Sequence, residues 1–345
     1  MVTPSTLKLK LTLFVCVALQ YCSWFRTGAF GLALSRIPLL AQCDDHDIID
    51  GFGSYEDSTQ SSPIFAGIGA AGLFWFLLFQ CHISDQFDGL EHAPGAHSSK
   101  GLVIGGPGAW VKQPSHSFVA YLGPKVYVLL LDARTERKLD QVVSKGTYER
   151  VFTALRALPD EVEHVVMLLT VPLAYPRMVG VERLLESKLN PATLLAKVGV
   201  GLPGYLQKFD GTPELLDDLN DHWCSAHHKA ERNWLVEETQ KLQLEKRMRV
   251  SYLSGDVHCA SVSILHHSKK KLEPSVDPKY QVQIVSSAIV NTPPPKAVLV
   301  AIRTLGRKRH KVSTAGIDLF LGLQRRELNP ALQHAARACR RSTTL

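Results

Sequence analysis

The sequence predicts an α/β fold, and three observations carry that prediction. Apolar runs of strand length alternate with longer stretches of helical period through the middle of the chain. Polar motifs stand where apolar runs end, at Asp132, Pro172, Asp256 and Ser286, and ligand sites in α/β sheets collect at the carboxyl ends of strands. The composition is that of a globular chain: 345 residues, 45% hydrophobic and 21% charged, are enough for a large core in one or two domains.

Residues 11–25 carry no charge and follow Lys8 and Lys10, the layout of a secretory leader or short anchor. A small-residue cleavage site is missing, and the run is short for a membrane span. The segment 64–81 is longer and as apolar; it reads as a wholly buried helix or a span, with the buried helix preferred. Residues 85–113, rich in Gly, His and Ser, read as a long loop. Strands are expected over 117–122 and 125–131, joined by a turn at Gly123-Pro124, and a helix over 147–158. A strand over 164–171 stops at Pro172, and a long helix over 225–247 turns Trp234, Leu235 and Leu242 inward. Strands at 250–253 and 281–286 complete the set.

Charge and cysteine usage set limits on function. The net charge of +7 is concentrated beyond residue 296, where ten Lys or Arg face two acids, so the domain itself is near neutral. That tail has almost no aromatic residues to stack bases, which argues against specific nucleic-acid binding; it reads first as a solvated or artefactual tail, with anionic lipid or a nuclear address as the alternatives. Seven scattered cysteines exclude a disulfide framework, although Cys43 and Cys259 flank the two motifs below. No Gly-rich phosphate loop ending in Lys-Ser or Lys-Thr and no Gly-x-Ser-x-Gly elbow is present, which weakens nucleotide-driven and serine-hydrolase readings.

Two motifs offer carboxylate and imidazole together. Asp44-Asp45-His46-Asp47 runs into Gly51-Phe52-Gly53-Ser54, and its three acids repel one another unless a metal or an arginine sits among them. In Ser254-Gly255-Asp256-Val257-His258, Asp256 and His258 are two apart, so on an extended segment they face one ion; the same residues also make an ordinary capped turn. Such mixed ligands suit Mn, Fe or Zn, and Ca or Mg where oxygen dominates. His92, His97 and His116, and the pair His227 and Glu231 one helical turn apart, are further ligand candidates, with solvated loop or helix-start roles as the plain alternative.

The chain resembles the PhoD-like phosphatases, in the branch found in fungi. The resemblance rests on residues 44–55, reading Asp-Asp-His-Asp-Ile-Ile-Asp-Gly-Phe-Gly-Ser-Tyr, then on 131–137, 171–177, Asp221-His222-Trp223, 254–258 and 286–295, in family order. It covers about residues 21–295, which defines the domain, with an apolar leader or misassigned start over 1–20 and a basic tail over 296–345.

That resemblance implies a four-layer α-β-β-α sandwich and a metal-dependent phosphoesterase acting on phosphate esters through a metal-bound hydroxide. It implies metal ligation by Asp45, Asp256 and His258, contact of His46 with the phosphate or leaving oxygen, and stabilisation of phosphoryl charge by Arg134. The ion is Fe, Ca, Mn or Zn. Family members carry a further Gly-Asp ligand motif upstream, whereas no Asp, Glu or His precedes Asp44 here. The metal site is therefore expected to be incomplete at its amino end. The alternative function is a catalytically incomplete member, membrane-associated or regulatory, touching lipid through residues 64–81 or the basic tail. A membrane-associated or cytoplasmic location is expected rather than a secreted one.

Overall fold

Short runs rich in Val, Ile and Leu build the centre of the molecule, because branched side chains fit a pleated surface covered on its faces. The computed structural model describes residues 4–84, 101–175, 223–225, 227–255, 257, 260–267, 272–286, 310–312 and 315–320. Its strands are β1 (Leu102–Pro107), β2 (Pro114–Gly123), β3 (Val126–Leu130), β4 (His164–Leu168), β5 (Arg249–Ser254), β6 (Ser261–His267), β7 (Gln281–Val285), β8 (His310–Val312) and β9 (Ala315–Phe320). They form one mixed sheet in the order β1-β2-β3-β4-β5-β7-β6-β9-β8. The central strands β3, β4, β5 and β7 are parallel, with Leu130, Leu168, Leu253 and Ile284 in register across them.

Among the described residues the α-helices are α1 (Pro4–Arg26), α2 (Gly28–Leu34), α3 (Asp57–Gln60), α4 (Pro63–Gln80), α5 (Lys145–Arg156) and α6 (Lys229–Lys246). Helix α5 starts where the Ser144 hydroxyl accepts the Thr147 N–H at 3.3 Å. It turns Val151, Phe152 and Leu155 onto the sheet, and α6 adds Leu235, Val236 and Leu242. Leu129, Leu131, Val165, Met167, Leu169, Val250 and Tyr252 meet them from the strands. Each such fully buried side chain contributes about 1.5–3 kcal/mol of transfer free energy.

On the opposite face, Phe118, paired with Leu130, packs with Leu73, Phe76 and Leu77 of α4. Helix α4 is capped by Ser62 and begins with Pro63, whose missing N–H costs nothing at that position. Among the described residues it is the one helix long and apolar enough to cross a membrane. Its apolar surface is used in packing on two sides. Inward, Gly69 and Gly72 press on the 44–55 loop, and a Cβ at Gly69 would lie 2.5 Å from the Phe52 ring. Outward, Phe14 of α1 lies 4.7 Å from the Trp75 ring, Tyr21 stacks on Phe79 at 5.1 Å, and the Trp75 indole donates to the Phe14 carbonyl at 2.9 Å.

The expected α/β class is what the fold displays, and α5, α6, β5 and β7 fall within a few residues of their expected places. Four details differ. Residues 85–113 are not all loop, because Leu102–Pro107 forms β1; as the sheet's edge strand it tolerates Gly105, Gly106 and Pro107. Strand β6 was not anticipated, since it buries Ser261 and Ser263 and leaves Val262 and Ile264 half-buried. Trp234 is not inward: it is 38% exposed and leans on Tyr148 and Phe152, tying α6 to α5. Strands β8 and β9 lie in the stretch read as a basic tail, and β9 pairs with β6.

Candidate metal centre

Asp44 opens a single 3-10 turn over Asp45–Asp47. Its carboxylate accepts the Asp45 N–H at 3.0 Å, while the Asp47 carboxylate accepts the Asp44 N–H at 2.9 Å, the reciprocal arrangement of a capping box. Tyr21 of α1 donates its hydroxyl to Asp47 at 3.1 Å, fastening α1 to the loop. Burial pushes the Asp47 carboxyl above its ordinary range.

Asp45 is buried, and both its oxygens accept backbone N–H groups, from His46 at 3.0 Å and from Gly51 at 2.7 Å. The loop turns back on itself through Gly51 and Gly53, at φ +71° and +94°, a backbone region that residues with a Cβ rarely adopt. His46 projects outward, 73% exposed at the side chain, with Nε2 at 3.9 Å from Asp50 Oδ1. Ligand atoms of Asp45, His46 and Asp50 all lie within 4.8 Å of one another, close enough for one cation.

The sequence offered a metal or an arginine as the charge that lets three acids share this loop, and the arginine is present. Arg134, its side chain fully buried, puts Nε 2.6 Å from Asp44 Oδ1, adds Nη2 to the same oxygen, and holds Nη2 at 3.5 Å from Asp45 Oδ1. Arg134 is itself held by the turn that ends β3. The Asp132 carboxylate accepts the N–H groups of Arg134 and Thr135 at 3.0 Å each, the Thr135 hydroxyl at 2.7 Å and the His116 N–H at 2.9 Å. Glu136 in the same motif is occupied by Gly106, Ser115, Ser144 and Thr147, and buried Arg137 backs onto Gly53.

The second motif follows β5. Gly255 donates to the Thr170 carbonyl at 3.1 Å, and Ser286 donates to the Ser254 carbonyl at 2.8 Å, so the chain enters the motif at the edge where β3 delivers Arg134. Strand β4 alone separates β3 from β5, about 10 Å at the usual strand spacing. Asp256, His258 and Cys259 lie outside the described residues, as do His92, His97, Asp221 and His222.

Other sequence candidates have structural duties. His116 is buried on β2, with Nδ1 2.7 Å from the Pro114 carbonyl. Glu231 accepts the Val142 and Val143 N–H groups and the Tyr148 hydroxyl, and burial raises its carboxyl pKa. The Cys43 thiol is fully buried, pushed well up by that burial, and its Sγ lies 3.6 Å from the Asp44 carbonyl. A thiolate ligand there would have to overcome that shift. Sequence reasoning missed Asp50 as a candidate ligand and Asp44 as the arginine's partner. The signal for Asp50 was its i+4 spacing from His46.

The parallel core, with a carboxylate–imidazole cluster at its carboxyl edge, is an α/β fold with a candidate cation site at its strand ends. The family model for PhoD related phosphatases matches residues 13–197 and 192–316, and the chain belongs to that family. It is also 40% identical over 306 residues to a Saccharomyces cerevisiae protein named as the uncharacterized protein YGR266W, covering 81% of this chain and 43% of that protein. The chain thus spans less than half the length of this curated relative. No solved structure matches.

Proposed function

We propose that this chain carries part of a metal-dependent phosphoesterase centre acting on phosphate esters. The observation that carries the reading is the convergence of Asp45, His46 and Asp50 on one point, beside a buried arginine, in a PhoD related phosphatase. The donor set fits a cation: the carboxylates of Asp45 and Asp50 lie beside His46, and Asp45 Oδ2 keeps a lone pair beyond its Gly51 N–H contact. Asp45 and Asp50 would hold Fe, Ca, Mn or Zn, together with Asp256 and His258, which follow β5 in the sequence. When bound, the ion supplies Lewis acidity and an activated water for attack at phosphorus.

The chain's own side chains divide the remaining work. His46, being exposed, can reach the leaving oxygen and protonate it. Arg134 fixes Asp44 and Asp45 in place; to touch a phosphoryl oxygen it would have to exchange Asp44 for substrate. Elemental analysis of the purified chain, together with hydrolysis of a chromogenic phosphodiester, tests the reading. Bound metal and turnover that both disappear in Asp45→Asn and in Asp256→Asn are expected. A wild-type chain that takes up none of the four metals overturns it.

One observation favours the second reading, a family member without chemistry that works at a membrane. Leu11, Leu19 and Trp24 of α1 and Phe30 and Leu32 of α2 are 43–62% exposed, on a stretch without a single acid. Flotation with anionic vesicles by a chain that binds no metal would select that reading.

A further inference from the structure

The register of the parallel strands continues past their ends. Leu130, Leu168, Leu253 and Ile284 stand side by side, and backbone bonds from Leu131 to Leu168, Leu169 to Leu253, Gly255 to Thr170 and Ser286 to Ser254 carry the ladder onward. Two residues further, Asp132, Thr170, Gly255 and Ser286 therefore form a row on the same face. Leu131, Leu169 and Val171 point the other way, into the core beneath α5 and α6. The row faces the side that bears α4 and the 44–55 loop.

Within this row the Thr170 hydroxyl is anomalous. The residue is only 6% exposed, yet Oγ1 has no hydrogen-bond partner. Its neighbour Asp132 is fully engaged with His116, Arg134 and Thr135. On its other side Gly255 leaves space: among the described residues a Cβ there would meet nothing nearer than the Ser286 carbonyl at 4.0 Å. A buried donor without an acceptor is costly, so a hydroxyl held beside a gap calls for an acceptor from outside the protein. An isolated valine would pack there without that cost.

We propose that Thr170 donates its hydroxyl to a phosphoryl oxygen lodged over Gly255, on the sheet face that bears α4 and the 44–55 loop. The proposal rests on the phosphoesterase reading for the identity of the ligand. It adds a substrate-contacting residue to that reading, and a reason for glycine at position 255. The tests are inorganic phosphate affinity by titration calorimetry on the full chain, and KM for the phosphodiester. Thr170→Val should weaken phosphate binding roughly tenfold, about 1.4 kcal/mol, with an unchanged or higher melting temperature, and should raise KM more than it lowers kcat. Thr170→Ser should restore both. Gly255→Ala, which the open space accommodates, should also weaken phosphate binding by filling the seat, and it serves if the valine variant fails to fold.

Equal phosphate affinity in wild type and Thr170→Val, or no phosphate binding by wild type at millimolar concentration, overturns the proposal. The two readings fail separately. Phosphate binding that depends on Thr170 in a chain without hydrolysis keeps this inference and removes the catalytic one. Hydrolysis lost in Asp45→Asn but indifferent to Thr170→Val does the reverse.

Discussion

The two ends of the parallel strands carry charge in opposite ways. At the amino ends, Lys125 pairs with Glu163 at 2.5 Å with both side chains more than 60% exposed, and Lys246 pairs with a solvated Asp160. Arg249 there spends its guanidinium on the carbonyls of Pro274, Ser275 and Asp277. At the carboxyl ends, Asp45, Asp132, Arg134, Glu136 and Arg137 are all buried. Exposed pairs contribute about 0–1 kcal/mol, whereas each buried ion carries a desolvation penalty of several. One sheet thus keeps most of its charges in water at one end, the buried Asp277 excepted, and concentrates costly ones at the other, where α/β sheets place their ligand sites. The penalty marks the working end more clearly than any single residue does.

Breaking that contrast gives the largest expected effect. Arg134→Met strands Asp44 and Asp45 without their cation and should cost about 3 kcal/mol or more in urea unfolding, while Lys125→Met should change stability by less than about 1 kcal/mol. Comparable losses in the two variants would erase the distinction between the ends. Next comes Asp132→Ala, which removes four accepted hydrogen bonds from the β3 turn. It should cost about 2–3 kcal/mol and, by freeing Arg134, abolish metal binding even at temperatures where the chain stays folded. Gly69→Val sharpens the comparison from the other side of the loop. Pushed against the Phe52 ring, it should cost about 1–3 kcal/mol and weaken metal binding without touching a ligand.

The smallest effect belongs to the amino end. Burial first, and then Arg249, lowers the His164 pKa below its ordinary value. In the fold the imidazole stays neutral where the unfolded chain would protonate it. Its contribution is complete above the unfolded pKa, near 6.5, and is lost as pH falls toward the folded one. Wild-type stability should therefore decline below about pH 6.5 more steeply than that of His164→Gln. Parallel stability profiles for the two chains would remove His164 as a source of acid sensitivity.

Much of this was legible because strand ends announce themselves. The strand expected over 164–171 holds β4 in its first five residues, Asp132 and Gly255 follow β3 and β5, and the helix expected over 147–158 lies within two residues of α5 at each end. What was not legible depended on contacts made across the chain. Arg134 could be named from its motif, but its engagement by Asp44, ninety residues away, depends on the loop and the β3 turn meeting. Strand β6 hid its character because Ser261 and Ser263 face inward, Ser263 meeting the Gln283 amide and the Ala174 carbonyl. Strand β1 was disguised by a Gly-Gly-Pro composition that only an edge position permits.

The link between Arg134 and Asp44 also orders events in time. A loop of ninety residues must close before the guanidinium meets its carboxylate, and contacts of that separation form late in folding. Until β3 and its turn are in place, Asp44, Asp45 and Asp47 are a solvated acidic stretch with no fixed geometry, too loosely arranged to retain a metal tightly. On the proposed metal-dependent reading, metal capture would then report the completion of folding, and a chain partly unfolded by heat would lose a bound ion before it lost its helices.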